Sequence, residues 1–358
     1  MKGSQNPPEK LIEYLGVDRY AAKLCSLQVP KDALSWTRFC GSLSLVLVVL
    51  LFLSGAFMMF YYSPSPGAAY DSVDFAQFSL PFGDIVRGVH CYAWNLLLVV
   101  LGLHLAGTFL TAAYKAPRQM VWVSGVLIFL VVPAFIVTGE LLPWDQKGYW
   151  TTQVRNSIIS SVPLLGDFAL RLLQGGPRTG IVALTRFYVL HSLFLPSLLI
   201  LLIAVHFHFL AHRGLSGPLR EGKVGRDSMP LIPDMINRWL ILFVVVAVAL
   251  GLMGWYWPAP LESPADPTDS SYVPKPEWWV LFMNQLVSIF RGPLALVGTV
   301  VVPGGISVLL LALPFLDRSP TRHPLHRKKA MFVAIIILLI VTGLSIMGYV
   351  QHFMTPHP

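Results

Sequence analysis
Residues His90 to His104 read "HCYAWNLLLVVLGLH" and carry no charged side chain. A run this apolar belongs in lipid, where an ionisable side chain is costly and marks a functional site. A helix advances about 1.5 Å and 100° per residue, so these histidines, fourteen positions apart, stand about 21 Å apart along the axis and about 40° around it. Both face the same neighbour. The stretch "HSLFLPSLLILLIAVH" repeats the device, with His191 and His206 fifteen positions apart, about 22 Å and about 60°.

The rest of the chain fits a membrane setting. Of its 358 residues, 55% are hydrophobic and 12% charged, too apolar for an ordinary soluble domain. Apolar runs long enough to cross a bilayer fall at 39–61, 90–112, 120–140, 188–210, 239–257, 294–315 and 330–350. Eighteen of the 26 Lys and Arg residues lie in the N-terminal arm, "YKAPRQ", residues 211–238 and "DRSPTRHPLHRKK". These alternate segments share one side, so the positive-inside rule puts the N-terminus in the cytoplasm and the C-terminus outside. The net charge of +8 is then a topology signal, not a nucleic-acid footprint. The first 38 residues lack the apolar core of a cleaved signal peptide. Residues 9–25, "EKLIEYLGVDRYAAKLC", read as an amphipathic helix on the inner membrane surface, among membrane lipids. "NSIISSVPLLGDFALRLLQGG" reads as short interfacial helices on the outer side. The fold class is therefore all-α and polytopic. A cytoplasmic arm (1–38) precedes a four-helix part (39–221) and a three-helix part (222–358).

The second and fourth spans run in the same direction, so His90 meets His191 near the outer surface and His104 meets His206 near the inner one. Paired neutral imidazoles at two depths are what bis-histidine haem ligation requires. Gly41 and Gly55 in the first span, and Gly125 and Gly139 in the third, are each fourteen apart. A position without a side chain lets a flat macrocycle approach the backbone, although small residues also serve plain helix packing in lipid. Arg87, three residues before His90, suits a haem propionate or snorkels at the interface. His208 and His212 read as inner-surface or quinone-site polar groups; His323, His326, His352 and His357 carry no assigned role. Cys25, Cys40 and Cys91 have no metal or disulfide spacing. Glu277, between Pro276 and Trp278 just before an outer-side span, is either a proton-accepting carboxylate or a glutamate of an aromatic belt.

From "GSLSLVLVVLLFLSGAFMMFYY" through both histidine spans to "LLPWDQKGYW", "LTRFYVLH", "GLSGPL" and "PEWW", nearly the whole chain resembles cytochrome b of the quinol-oxidising bc and b6f complexes. The fifteen-residue step from His191 to His206 is more similar to the b6f branch. There the four-helix and three-helix parts are separate chains, whereas here they are one, joined near Gly222. The resemblance implies a low-potential b-type haem on His90 and His191 and a high-potential one on His104 and His206. It also implies a quinol site framed by Pro143, Trp144, Pro276, Glu277, Trp278 and Trp279, with Glu277 taking a proton. The family's motif ends in tyrosine where this chain has Trp279. In b6f-type chains a cysteine two residues before the first glycine tethers an extra haem. Here Cys40 lies one residue before Gly41, which leaves either a third, covalent haem or a buried thiol.

The implied activity is quinol oxidation at the outer side, with electrons crossing through two haems to an inner quinone site and protons translocated. The implied partners are a Rieske-type iron–sulfur protein and a c-type cytochrome or similar acceptor, in a homodimeric complex of the bacterial inner membrane or an equivalent energy-transducing membrane. Two other classes stay open on the residues alone. A di-haem anchor passing electrons between quinone and a dehydrogenase or reductase needs neither "PEWW" nor the last three spans. A transporter would use the histidines as proton or substrate sites.

Overall fold
The computed structural model describes residues 28–30, 36–176, 178–214, 216, 228–230, 236–269, 271–290 and 294–354. The surface helix expected over 9–25 lies outside them. Among the described residues, seven helices are long and apolar enough to cross a membrane: Thr37–Met59, Gly83–Leu110, Gln119–Glu140, Ile181–Arg213, Ile236–Tyr256, Val297–Leu316 and Lys328–Met354. The sequence placed all seven but set the second and fourth starts too late. Each helix continues beyond its lipid-compatible core into polar surroundings, through "GDIVRGV" and "IVALTRFYVL", and hydropathy registers only the core.

The fourth span is not a uniform α-helix. Leu190–Phe194, which contains His191, forms one π turn. Pro196 supplies no N–H for the carbonyl four residues back, and the backbone widens there. A π turn holds an extra residue in one turn, so the fifteen-residue histidine step does the work of fourteen. The offset of about 60° in a straight helix is thereby brought to the roughly 40° of the His90–His104 step.

The first and second spans pack along their length, the fifth lies against the second and first, and the third contacts the fourth and sixth. Leu47, Ala93, Leu97, Val132, Leu199 and Leu250 form the main core between them. The second and fifth spans touch backbone to backbone, since a Cβ on Gly88 would stand 2.4 Å from Gly254 Cα. Small residues permit this close approach in lipid. At the end of the bundle that the charge pattern assigns to the outside, helices Gln146–Ser160 and Gly166–Gln174 are the short helices expected. Leu164, Leu165, Phe168 and Leu172 are exposed along them. Three elements were not foreseen: the short helix Ala69–Asp74, the helix Leu281–Ile289 after the "PEWW" motif, and a two-stranded antiparallel pair, Gln28–Pro30 with Ser228–Pro230.

Two polar seams join the four-helix part to the rest. Outside, Asp145 caps helix Gln146–Ser160 by accepting from Gly148 N at 2.8 Å and also accepts from Glu262 N at 3.2 Å. Ala265 N donates to Trp144 O, and Gln146 N to Ser263 O. Trp144 takes a positive φ of 52° to make this turn. Inside, the Tyr114 hydroxyl donates to Asp317 Oδ2 at 2.5 Å, and Lys115 and Arg327 pair with the same carboxylate at 3.2 and 3.1 Å. Burial opposes the charge of Asp317, but Tyr114, Ser319 and Lys115 more than offset it and hold the carboxyl well below the ordinary range.

Candidate metal centres and the outer cavity
The centres of the His90 and His191 rings are 6.2 Å apart. A metal–imidazole bond of about 2 Å sets the metal roughly 3 Å from the ring centre, so one metal between two rings needs centres roughly 6 Å apart. The outer pair meets that requirement. At the inner level His104 lies against Gly41 of the first span and His206 against Gly125 of the third.

Ring orientation is fixed at every one of these histidines through Nδ1. His104 Nδ1 donates to Thr37 O at 2.7 Å and His191 Nδ1 to Phe135 O at 3.0 Å; a carbonyl only accepts, so the proton sits on Nδ1. The Ser54 hydroxyl spends its hydrogen on Leu50 O at 2.7 Å, so its oxygen accepts from His90 Nδ1 at 2.9 Å. Ser124 does the same, donating to Met120 O at 2.8 Å and accepting from His206 Nδ1 at 3.0 Å. The Thr138 oxygen lies 3.2 Å from His191 Nδ1. In each ring Nε2 therefore keeps the lone pair a metal needs, with the outer-shell support that metal-ligating histidines take.

The glycines fall on the histidines one to one. A Cβ on Gly41 would stand 3.1 Å from His104 Cε1, on Gly55 3.3 Å from His90 Cε1, on Gly125 3.3 Å from His206 Cε1, and on Gly139 2.6 Å from His191 Cε1. They occupy the two expected levels, and the room each provides is taken by an imidazole edge. The residue before three of these glycines is the hydroxyl that holds a ring: Ser54, Ser124 and Thr138. Sequence reading missed these, although a hydroxyl residue directly before glycine, three times over in two apolar spans, was a legible signal.

Beside the outer pair opens a cavity of about 520 Å³ lined by His90, His191, Gly55, Gly139, Pro143 and Glu277, together with Arg87, Glu140 and Lys147. Its other walls are largely apolar. Arg87 donates to Ala259 O and Pro260 O, both at 2.8 Å, and to Gln77, so it anchors the loop after the fifth span while facing the cavity. Glu277 is ion-paired with Lys147 of "PWDQK". Trp144 is buried behind the wall, against Tyr149. Trp278 is 47% exposed and its indole donates to Asn95 Oδ1 at 2.8 Å, while Trp279 packs against the main core. Cys40 is 6% exposed within that core. His208 and His212 stack at 4.3 Å near the end of the fourth span.

Facing histidines at two depths in a seven-span bundle, with a cavity against the outer pair, are the architecture of an integral membrane electron-transfer protein. Residues 95–264 match the family model described as cytochrome b (N-terminal)/b6/petB, and residues 264–356 match cytochrome b (C-terminal)/b6/petD. Cytochrome b6 of Prochlorococcus marinus is 39% identical over 179 residues, covering 50% of this chain and 82% of that protein. Cytochrome b6 of a Synechococcus species is 38% identical over the same length. Among solved structures, a chain of a hyperthermophilic respiratory Complex III superposes with a TM-score of 0.78 at 26% identity, covering 97% of this chain and 92% of that one. The chain belongs to the cytochrome b family. It is a membrane-embedded electron-transport subunit of a bc/b6f-type oxidoreductase complex, and the family implies b-type haem. Its Nε2 lone pairs, ring separation and glycine clefts fit such a group.

Proposed function
We propose that the chain is the di-haem cytochrome b of a quinol:acceptor oxidoreductase, oxidising quinol in the outer cavity. His90 and His191 would hold the outer, low-potential haem, and His104 and His206 the inner, high-potential one. When bound, the haems supply one-electron transfer between the two faces of the membrane. The observation that carries the reading is that the outer histidine pair and Glu277 line one cavity.

The chain's own residues then have distinct tasks. The apolar walls take up the quinone ring and exclude water. Glu277 accepts a proton from a quinol hydroxyl at a carboxylate oxygen and releases it outside. Pro143 shapes the wall, and Trp144, Pro276, Trp278 and Trp279 buttress it from behind or at the rim. Gly41, Gly55, Gly125 and Gly139 admit the histidine rings, and the cavity-facing charge of Arg87 suits a propionate. Cys40, enclosed in the core, is a packing thiol and holds no third haem. Residues 39–221 carry the haem ligands and residues 222–358 the glutamate. The N-terminus faces the cytoplasm of a bacterial inner membrane or an equivalent energy-transducing membrane. The partners are a Rieske-type iron–sulfur protein and a c-type cytochrome or similar acceptor, in a homodimer. Protons are taken up at an inner quinone site and released outside.

A pyridine haemochrome assay under denaturing conditions tests the cofactor reading, with two extractable b haems per chain expected. A single haem, or one left on the chain, contradicts it. Glu277→Gln in the whole complex tests the chemistry. Outer-site quinol oxidation should fall by roughly a hundredfold, the scale of a lost general base. Undiminished oxidation would favour an anchor that merely passes electrons.

A further inference from the structure
Three charged groups of the outer cavity form an unequal arrangement. Lys147 Nζ is paired with Glu277 Oε1. Glu140, at the end of the third span, accepts from Arg155 Nη1 through Oε2 at 2.6 Å. Its other oxygen, Oε1, is closed off from solvent and has no hydrogen-bond partner among the described residues. A buried acceptor left unmade is costly, the more so when charged. Glu140, Lys147 and Glu277 all line the cavity. Lys147 stands beside Glu140 because the first turn of helix Gln146–Ser160 sits on its backbone: a Cβ on Gly148 would be 2.2 Å from Glu140 O. One cation therefore lies within the field of two carboxylates and is bonded to one of them.

We propose that Lys147 is a two-position switch of the outer site, serving as counter-ion to Glu277 while that carboxylate is ionised and turning to Glu140 Oε1 when Glu277 takes up a proton. The proposal rests on the reading of the cavity as the quinol site. A quinol losing two electrons to one-electron acceptors, a b haem and an iron–sulfur protein, also releases two protons, and one goes to Glu277. The neutral acid no longer holds the ammonium. Lys147 moves to the unbonded oxygen of Glu140, and the freed Glu277 acid carries its proton to outside water, after which the original pair re-forms. No charge is created or lost in the exchange. Lys147 is thus a positioning residue, and Glu140 is its second seat.

The surrounding charges are consistent with a lysine that stays cationic throughout. Burial works against its charge, but the hydrogen bond to Glu277 and the carboxylates of Glu277, Glu140 and Glu262 outweigh it and hold the ammonium above the ordinary lysine range. Arg155 faces Glu140. Arg87 and Asp145 share the cavity, as do Glu262, Cys91 and His90.

The test is the pH profile of quinol oxidation by the whole complex in its membrane, for Lys147→Met, Lys147→Arg, Glu140→Gln and the Met/Gln double variant. Lys147→Met removes the one positive charge bonded to the Glu277 carboxylate, so the acid limb of quinol oxidation should move up by about one pH unit. Lys147→Arg should restore it. Glu140→Gln leaves Lys147 on Glu277, so its acid limb should move down while kcat falls by about tenfold and KM stays. The double variant should show the kcat of Lys147→Met alone, because Glu140 affects the rate only through Lys147. Limbs that coincide with wild type, or effects that add independently, overturn the switch. If Glu140→Gln fails to assemble, judged by haem absorbance, the contrast between Met and Arg at position 147 decides alone. Glu277→Gln measured alongside separates the two failures. Undiminished oxidation removes the reading of the cavity, whereas an impaired Glu277→Gln with unmoved Lys147 profiles removes only the switch.

Discussion
Ser54 Oγ lies 2.9 Å from Nδ1 of His90, one residue before the glycine that admits the same ring. The hydroxyl comes from the first span and the imidazole from the second, so the packing of two helices fixes the tautomer of a proposed ligand. Accepting the Nδ1 proton makes the ring a more basic ligand, which favours the oxidised metal.

Ser54→Ala should therefore raise the midpoint potential of the outer haem and leave the inner one in place. A hydrogen bond worth about 1 kcal/mol corresponds to about 40 mV for a one-electron couple. Spectroelectrochemical titration resolves the two haems, and an unmoved outer potential would remove Ser54 from the ligand's support.

Gly139→Ala should cost the outer haem. The added Cβ would stand 2.6 Å from His191 Cε1, and the ring is locked by Phe135 O and Thr138. Gly102 lies in the second span with nothing among the described residues within 4 Å of an added Cβ, so Gly102→Ala is the matched control. Haem extraction should give one b haem per chain for the first variant and two for the second.

Asp317→Asn should weaken the inner seam. It leaves Arg327, whose side chain is 1% exposed, without its carboxylate, a loss of about 3 kcal/mol for a broken buried pair. Because folding holds this carboxyl below its ordinary range, its contribution is complete above the unfolded value of about pH 4 and fades as pH falls further. Thermal loss of haem absorbance should occur earlier in the variant at pH 7. The gap between variant and wild type should persist at pH 5 and close only under stronger acid.

The spans and the paired histidines were legible because lipid allows few polar residues, and those it tolerates stand out. The glycine pitch was legible for the same reason, and the structure adds that each glycine also clears an imidazole edge. Helix starts were not, since "GDIVRGV" is too polar to register as membrane yet continues the turn. The π turn at Leu190–Phe194 was hidden because spacing arithmetic assumes a uniform helix. Lys147 and Glu277 are 130 positions apart, and no local pattern announces that "PWDQK" and "PEWW" exchange charge. Ser54, Ser124 and Thr138 were readable but looked like ordinary small residues until their partners were placed.

The contact between Gly88 and Gly254 bears on why one chain suffices where the b6f branch uses two. That contact, the Arg87 anchor and the seam at Asp317 all recognise their counterparts through space, so the two parts do not depend on the covalent connection alone to find each other. Two co-expressed fragments divided between Gly214 and Ile236 should still co-purify with both haems, whereas Gly88→Leu, in the uncut chain, should drive the halves apart. Covalent continuity here is a guarantee of matched supply, and the glycine seam is what makes the matched pieces one machine.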